Sequence, residues 1–197
     1  LFQHAAEQQW LAENPAADLQ PPRLAKRLPV YLTRAEIDRL FEAPDRSTPL
    51  GRRDHAILVT LGYTGLRLQE LVGLNTLDVD WDRATLRVLG KGRKERLVPM
   101  NKTVRAVLEG YLSDAERAVA DGERAVFLNA RGRRMTGRAV QYIVDQQAAR
   151  AGIEREHLSP HKLRHTFATL LHERDVDLVD IQKLLGHASL TSTQIYT

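Results

Sequence analysis

Apolar positions recur at helical spacing along most of this chain and alternate over one central stretch, and the two periods divide it into elements. Residues 1–13, L-F-Q-H-A-A-E-Q-Q-W-L-A-E, carry Leu1, Ala5, Ala6, Gln9 and Trp10 at helical spacing, which predicts a helix ended by Asn14-Pro15. The proline-rich run to Pro29 predicts an extended, solvated linker. Thr33-Arg34-Ala35-Glu36 is a capping box ahead of I-D-R-L-F and opens the main domain with a helix. Arg52 to Tyr63 is apolar on most faces after its first turn, which places it at the centre of the core; Thr64-Gly65 breaks it. L-R-L-Q-E-L-V-G-L then restarts a short helix, with Arg67 and Glu70 three residues apart and near enough to interact.

From Asp78 to Met100 the period changes. D-V-D-W-D, A-T-L-R-V-L and E-R-L-V-P-M alternate or carry β-branched residues, separated by Asp82-Arg83 and G-K-G-R-K. A three-stranded antiparallel sheet fits, with Lys91 at the tip of its second hairpin. Asn101 is placed to cap a long helix reaching roughly Val119, and A-V-F-L-N reads as a buried short strand or extended piece. Thr136 opens a helix to about Ala151, stopped by Gly152, and Pro160 stands at the first position of another. Val176 to Leu185 is a further helix with Gly186 as its stop, and Thr191 to Tyr196 begins a last one. The fold class is mainly α with one small three-stranded antiparallel β-sheet.

Length and composition narrow the class without naming it. A chain of 197 residues with 43% hydrophobic content buries one good core. With no cysteine, disulfides and thiolate metal sites are excluded. No apolar run approaches the roughly 20 residues of a membrane span and no basic-then-apolar leader opens the chain, so the expectation is a cytoplasmic protein without a membrane partner. The chain starts at Leu1, which suggests a fragment or a processed product. The net charge is only +4, so the clustering of basic residues matters more than their excess.

The polar residues that interrupt apolar helices hold the candidate chemistry. Arg67 and Arg164 each sit in a strongly apolar segment, where a guanidinium needs a carboxylate or a phosphate. Glu70 could simply pair Arg67; two guanidiniums brought together would instead hold the non-bridging oxygens of one phosphate. His161 and His165 have zinc-pair spacing, but Lys162 stands where a metalloprotease helix carries its glutamate. One imidazole as a hydrogen-bonding group and the other as a proton-transfer group fits better, and no metal or cofactor is expected. Lys91 between glycines reads as a turn lysine or as a mobile cation able to reach a leaving oxygen. Lys91, Arg93, Lys94 and Arg96, and likewise Arg131, Arg133, Arg134 and Arg138, read as solvated loops or as contacts to a DNA backbone. Arg23, Lys26 and Arg27 in the linker carry the same two readings.

Four stretches together resemble the catalytic domain of tyrosine recombinases, the phage integrase family, and most nearly its bacterial and archaeal Xer type. They are T-G-L-R-L-Q-E-L-V-G-L, L-G-K-G-R-K-E-R-L-V-P, H-K-L-R-H-T-F-A-T-L-L and L-L-G-H-A-S-L-T-S-T-Q-I-Y-T, in the family's order and spacing over residues 20–197. The resemblance implies that Arg67, Lys91, His161, Arg164, His187 and Tyr196 are catalytic, with Glu70 and His165 in support. It implies attack of Tyr196 on a DNA phosphodiester, a 3′-phosphotyrosine and a released 5′-hydroxyl, with no cofactor. It also implies site-specific recombination of double-stranded DNA by a homo- or hetero-tetramer on two sites, as in resolving chromosome or plasmid dimers, by a nucleoid-associated enzyme. A mobile-element integrase, or a DNA-binding fragment without turnover, is the alternative. Residues 1–28 correspond to the last helix of the family's N-terminal domain plus a linker. Residues 29–197 correspond to the catalytic domain, ending just after the nucleophile, whereas the family continues into a docking helix.

Overall fold

The computed structural model describes residues 2–13, 15–16, 31–90, 95–153 and 158–186. Helices α1 (Phe2–Glu7), α2 (Arg34–Glu42), α3 (Pro49–Thr64) and α4 (Leu68–Gly73) lead into a short 3-10 turn and strands β1 (Val79–Asp80), β2 (Thr85–Leu89) and β3 (Glu95–Pro99). Helices α5 (Lys102–Leu112), α6 (Gly137–Arg150), α7 (Pro160–His172) and α8 (Leu178–Leu185) follow. The strands form one antiparallel sheet in the order β1-β2-β3, with Arg87 opposite Leu97 and Val88 opposite Arg96.

Helix α3 is the hub, packing on α2, α5, α6 and α7. Ala56, Ile57, Leu58, Val59 and Leu61 are each at most 1% exposed, so apolar residues all round the helix have found partners. Its start lies three residues before the predicted Arg52, because Thr48 Oγ1 accepts from the Gly51 N–H and Pro49 occupies the first turn. Its end is Gly65, whose left-handed φ of 61° suits a residue without a Cβ. Helix α2 has the predicted capping box, with Thr33 N–H donating to Glu36 Oε2 and Glu36 N–H to Thr33 Oγ1.

Two helices are shorter than their periodicity suggests. Helix α1 covers six residues rather than thirteen. Helix α5 ends at Leu112, not Val119, because tertiary bonds beyond it take the chain elsewhere. Asp114 accepts from Arg52 Nε at 2.6 Å, and the Arg117 guanidinium lies 5.2 Å from the Tyr111 ring while donating to the Ala125 and Val126 carbonyls. Ala125 to Leu128 of the A-V-F-L-N piece are buried, but the chain bends at Val126 and Phe127 between isolated bridges from Ala125 to Asn75 and from Leu128 to Arg134, rather than running as a strand.

The main core joins α2 to α7 with the sheet's inner face. A smaller cluster of Ala168, Ile181 and Leu185, with Phe167, Leu171 and Val176 against it, seats α8 on α7. That second cluster brings the carboxyl end of α8 to the break between α3 and α4. Among the described residues no helix is long and apolar enough to cross a membrane.

Candidate active site

Arg67 stands at the N-cap of α4 in extended conformation, with φ −70° and ψ 151°. An arginine has no acceptor, so only the carboxylate half of a capping box forms here: Arg67 N–H donates to Glu70 Oε2 at 2.8 Å. Glu70 Oε1 also accepts from Arg67 Nη1 at 2.9 Å, and Arg67 Nη2 donates to the Gly186 carbonyl at 2.8 Å. The guanidinium is held on two sides while its side chain stays 38% exposed, which leaves it facing a place where a ligand can approach.

Arg164 reaches the same place from α7 and is only 4% exposed. Ser159 caps that helix, Pro160 fills its first position, and Thr166 Oγ1 accepts from the Leu32 N–H at 3.0 Å, so the helix is fixed at its start and at its middle. Arg164 donates through Nη1 to the Gly65 carbonyl and through Nη2 to the Leu185 carbonyl, each at 2.5 Å. Leu185 and Gly186 are consecutive, so the two arginines grip adjacent carbonyls at the end of α8. Cations there also suit the negative end of the helix. The geometry thus brings two guanidinium side chains to one place in the fold.

The histidines lie one turn apart on α7, with Nε2 of His165 2.8 Å from Nε2 of His161 and the rings edge to face at 84°. One of these two nitrogens must donate and the other accept. Burial and the Arg164 charge hold His161 below its usual 6.5, and burial, His161 and Arg164 do the same to His165. Both imidazoles are thereby biased toward the neutral form a proton acceptor needs. Among the described residues no group of three or more His, Cys, Asp or Glu is placed to hold a metal ion.

Sequence reading missed Arg96 as part of this site by grouping it with a basic loop. It is an inward-facing residue of β3 whose Nη1 and Nη2 donate to Glu70 Oε1 and Oε2 at 2.6 and 2.9 Å. The signal was available: in E-R-L-V-P, Arg96 shares the face of buried Val98, while Leu97 is 60% exposed. A basic residue on the buried face of a strand demands an acid. Glu70 is 3% exposed at its side chain. Burial would raise its pKa, but the Arg96 hydrogen bonds, the Arg67 N–H and the charges of Arg96 outweigh that and hold it below the usual carboxylate value.

The second basic loop divides on inspection. Arg134 is committed to the fold, its guanidinium donating to the Val72 and Leu74 carbonyls and to Asn75 Oδ1. Arg131, Arg133 and Arg138 are exposed. Gly137, beside Arg138, packs against Leu68 and Gln69, so this loop and the start of α6 lie next to the helix that begins with Arg67. Lys91, Arg93, Lys94, His187, Tyr196, Arg23, Lys26 and Arg27 lie outside the described residues.

Fold and site together define a mainly helical domain that gathers two arginines at the junction of α3, α4, α7 and α8. The model of the Phage integrase family matches residues 30–197, and the chain belongs to that family. It is 44% identical over 189 residues to a tyrosine recombinase XerC of Oceanobacillus iheyensis, covering 93% of this chain and 61% of that protein. It is 42% identical over 187 residues to a tyrosine recombinase XerD of Neisseria meningitidis serogroup B, covering 94% of this chain and 64% of that one. The chain thus spans under two thirds of the length of these curated relatives. Among solved structures it is similar to a XerA recombinase, at TM-score 0.78 and 37% identity over 92% of this chain and 63% of that one. It is also similar to a XerH site-specific recombinase bound to palindromic difH substrate in a post-cleavage complex, at TM-score 0.78 and 28% identity over 90% of this chain and 52% of that one.

Proposed function

We propose that this chain is the strand-cleaving part of a site-specific DNA recombinase of Xer type, acting through a covalent tyrosyl intermediate. The observation that carries the reading is the convergence of Arg67 and Arg164 on the consecutive carbonyls of Leu185 and Gly186, immediately before His187. A phosphodiester entering there meets two guanidiniums on its non-bridging oxygens. The Tyr196 oxygen attacks phosphorus, the bond to the 5′ oxygen breaks, and the phosphate remains esterified to tyrosine. The phenol's proton passes to His161, and Lys91 protonates the leaving 5′ oxygen. Arg67, Arg164 and His187 stabilise the charge on the pentavalent phosphorus. A 5′-hydroxyl from a second strand reverses the step and exchanges partners.

The neutral form favoured at His161 supports its role as acceptor, and the buried Glu70 supports a fixed Arg67. Residues 29–197 make up the catalytic domain and residues 1–28 the end of a preceding DNA-clamping domain with its linker. Arg23, Lys26, Arg27, Arg93, Lys94, Arg131, Arg133 and Arg138 contact the DNA backbone. The working assembly is a tetramer on two sites, in the cytoplasm and on the nucleoid, resolving chromosome or plasmid dimers.

The test is covalent trapping on a nicked suicide duplex, resolved on a denaturing gel, with the whole natural protein and its Tyr196→Phe variant. A DNA-linked band that disappears in the variant while DNA binding persists is the expected result. Salt-sensitive binding without any covalent band would make the chain a binding module and sink the reading.

A further inference from the structure

We infer that Arg96 is a positioning residue for strand cleavage, acting through Glu70 to keep Arg67 aimed at the phosphate; this rests on the recombinase reading above. Arg96 forks its two terminal guanidinium nitrogens onto both Glu70 oxygens, at 2.6 and 2.9 Å. A fork of this kind fixes the carboxylate's plane as well as its place. Glu70 in turn contacts Arg67 twice, through its backbone N–H and its Nη1. Arg96 is itself held from above. A Cβ built on Gly186 would come within 3.1 Å of Arg96 Cδ and Nε, so the side chain lies directly under the backbone whose carbonyl receives Arg67 Nη2. Its own Nε is buried and, among the described residues, makes no hydrogen bond.

Charge balance gives the arrangement a chemical purpose. One carboxylate between two guanidiniums leaves a net positive charge for the incoming phosphate. Without Arg96, Glu70 would neutralise Arg67 alone and compete with the phosphate for it. The carboxylate, with only α4 to orient it, would also be able to turn. Arg96 lies one residue into β3, five after Lys91, so the strand leading from the Lys91 hairpin is the one fastened to the phosphate clamp. One ion pair thus ties the strand that follows Lys91 to the carboxylate that holds Arg67.

The experiment measures single-turnover covalent adduct formation at saturating DNA, and DNA affinity separately. The substrate is a nicked duplex of a target selected by binding from a randomised library. Wild type, Arg96→Met, Arg96→Lys, Glu70→Gln and the Arg96→Met/Glu70→Gln pair are compared as whole natural proteins, with melting curves for each. Arg96→Met should slow the adduct step by about 10²-fold, the scale of a misplaced reacting group, while affinity changes by less than about threefold. Arg96→Lys, which keeps the charge and loses the fork, should recover only part of the rate, and the double variant should be no slower than the worse single one. If Arg96→Met does not fold, Arg96→Lys decides: a rate at least about tenfold below wild type supports the inference. A folded Arg96→Met or Arg96→Lys at the wild-type rate overturns it, as does full additivity with Glu70→Gln. A wild type that forms no adduct defeats the recombinase reading first, and this inference with it.

Discussion

His165 Nε2 sits 2.8 Å from His161 Nε2, one turn along α7, and a single proton serves both nitrogens. Protonating both would set two cations in contact beside buried Arg164. Both groups therefore have folded-state pKa values below the usual 6.5, His161 through burial and Arg164, His165 through burial, His161 and Arg164. The unfolded chain takes up protons first as pH falls. The stability this pair contributes is complete above 6.5 and is lost as pH drops from there through the lower folded values. Thermal melts between about pH 7.5 and 5 should show a falling melting temperature whose slope flattens in His165→Gln. An unchanged slope would remove the linkage.

Arg164 has an architectural role beside the chemical one proposed for it, and its replacement should show both. Arg164→Ala strips two buried carbonyls, Gly65 and Leu185, of their donor. We expect a loss of about 2 kcal/mol or more in denaturant unfolding. Covalent cleavage at a temperature where the variant is still folded should fall by about 10²–10³.

Gly65 sets the angle between α3 and α4 and supplies one of those carbonyls. With φ at 61°, and a Cβ that would stand 2.6 Å from Phe167 Cδ1 and 2.8 Å from Leu185 Cδ2, alanine is disfavoured twice. Gly65→Ala should cost about 1–2 kcal/mol for the left-handed backbone alone. Crowding against the α7–α8 cluster adds to this, and unfolding midpoints measure the sum. A midpoint unmoved from wild type would contradict the assigned conformation.

The arginines of the second basic loop should separate in one experiment. Arg134→Ala, which breaks bonds to Val72, Leu74 and Asn75, should lower stability by about 1–2 kcal/mol and leave the salt dependence of DNA binding nearly unchanged. Arg131→Ala and Arg133→Ala should leave stability within about 0.5 kcal/mol. If they contact phosphates, each should reduce the slope of log affinity against log salt by about one. Slopes that change only in Arg134→Ala would reverse the assignment.

Much of this was legible from local pattern. The box at Thr33 and Glu36, Pro160 at a helix start, Gly65 and Gly186 as left-handed stops, and the alternation that made the sheet all appear as predicted. Each depends on residues a few positions apart, which is the range over which backbone preferences act. The expectations that differed were helix ends: a local cap at Thr48 moved the start of α3, and a distant partner moved the end of α5. Asp114 leaves the helical path for Arg52, 62 residues away.

The chain's own order of residues therefore determined the elements, the candidate chemistry and the family. Only the tertiary structure decided how the candidates are used. Arg67 finds Gly186 across 119 positions and Arg164 finds Gly65 across 99, and no periodic signal encodes such distances. The same folding took Arg134 and Arg96 out of two similar basic runs, one to brace a loop and one to hold Glu70. A buried guanidinium must find acceptors, and which acceptors lie within reach is settled by packing.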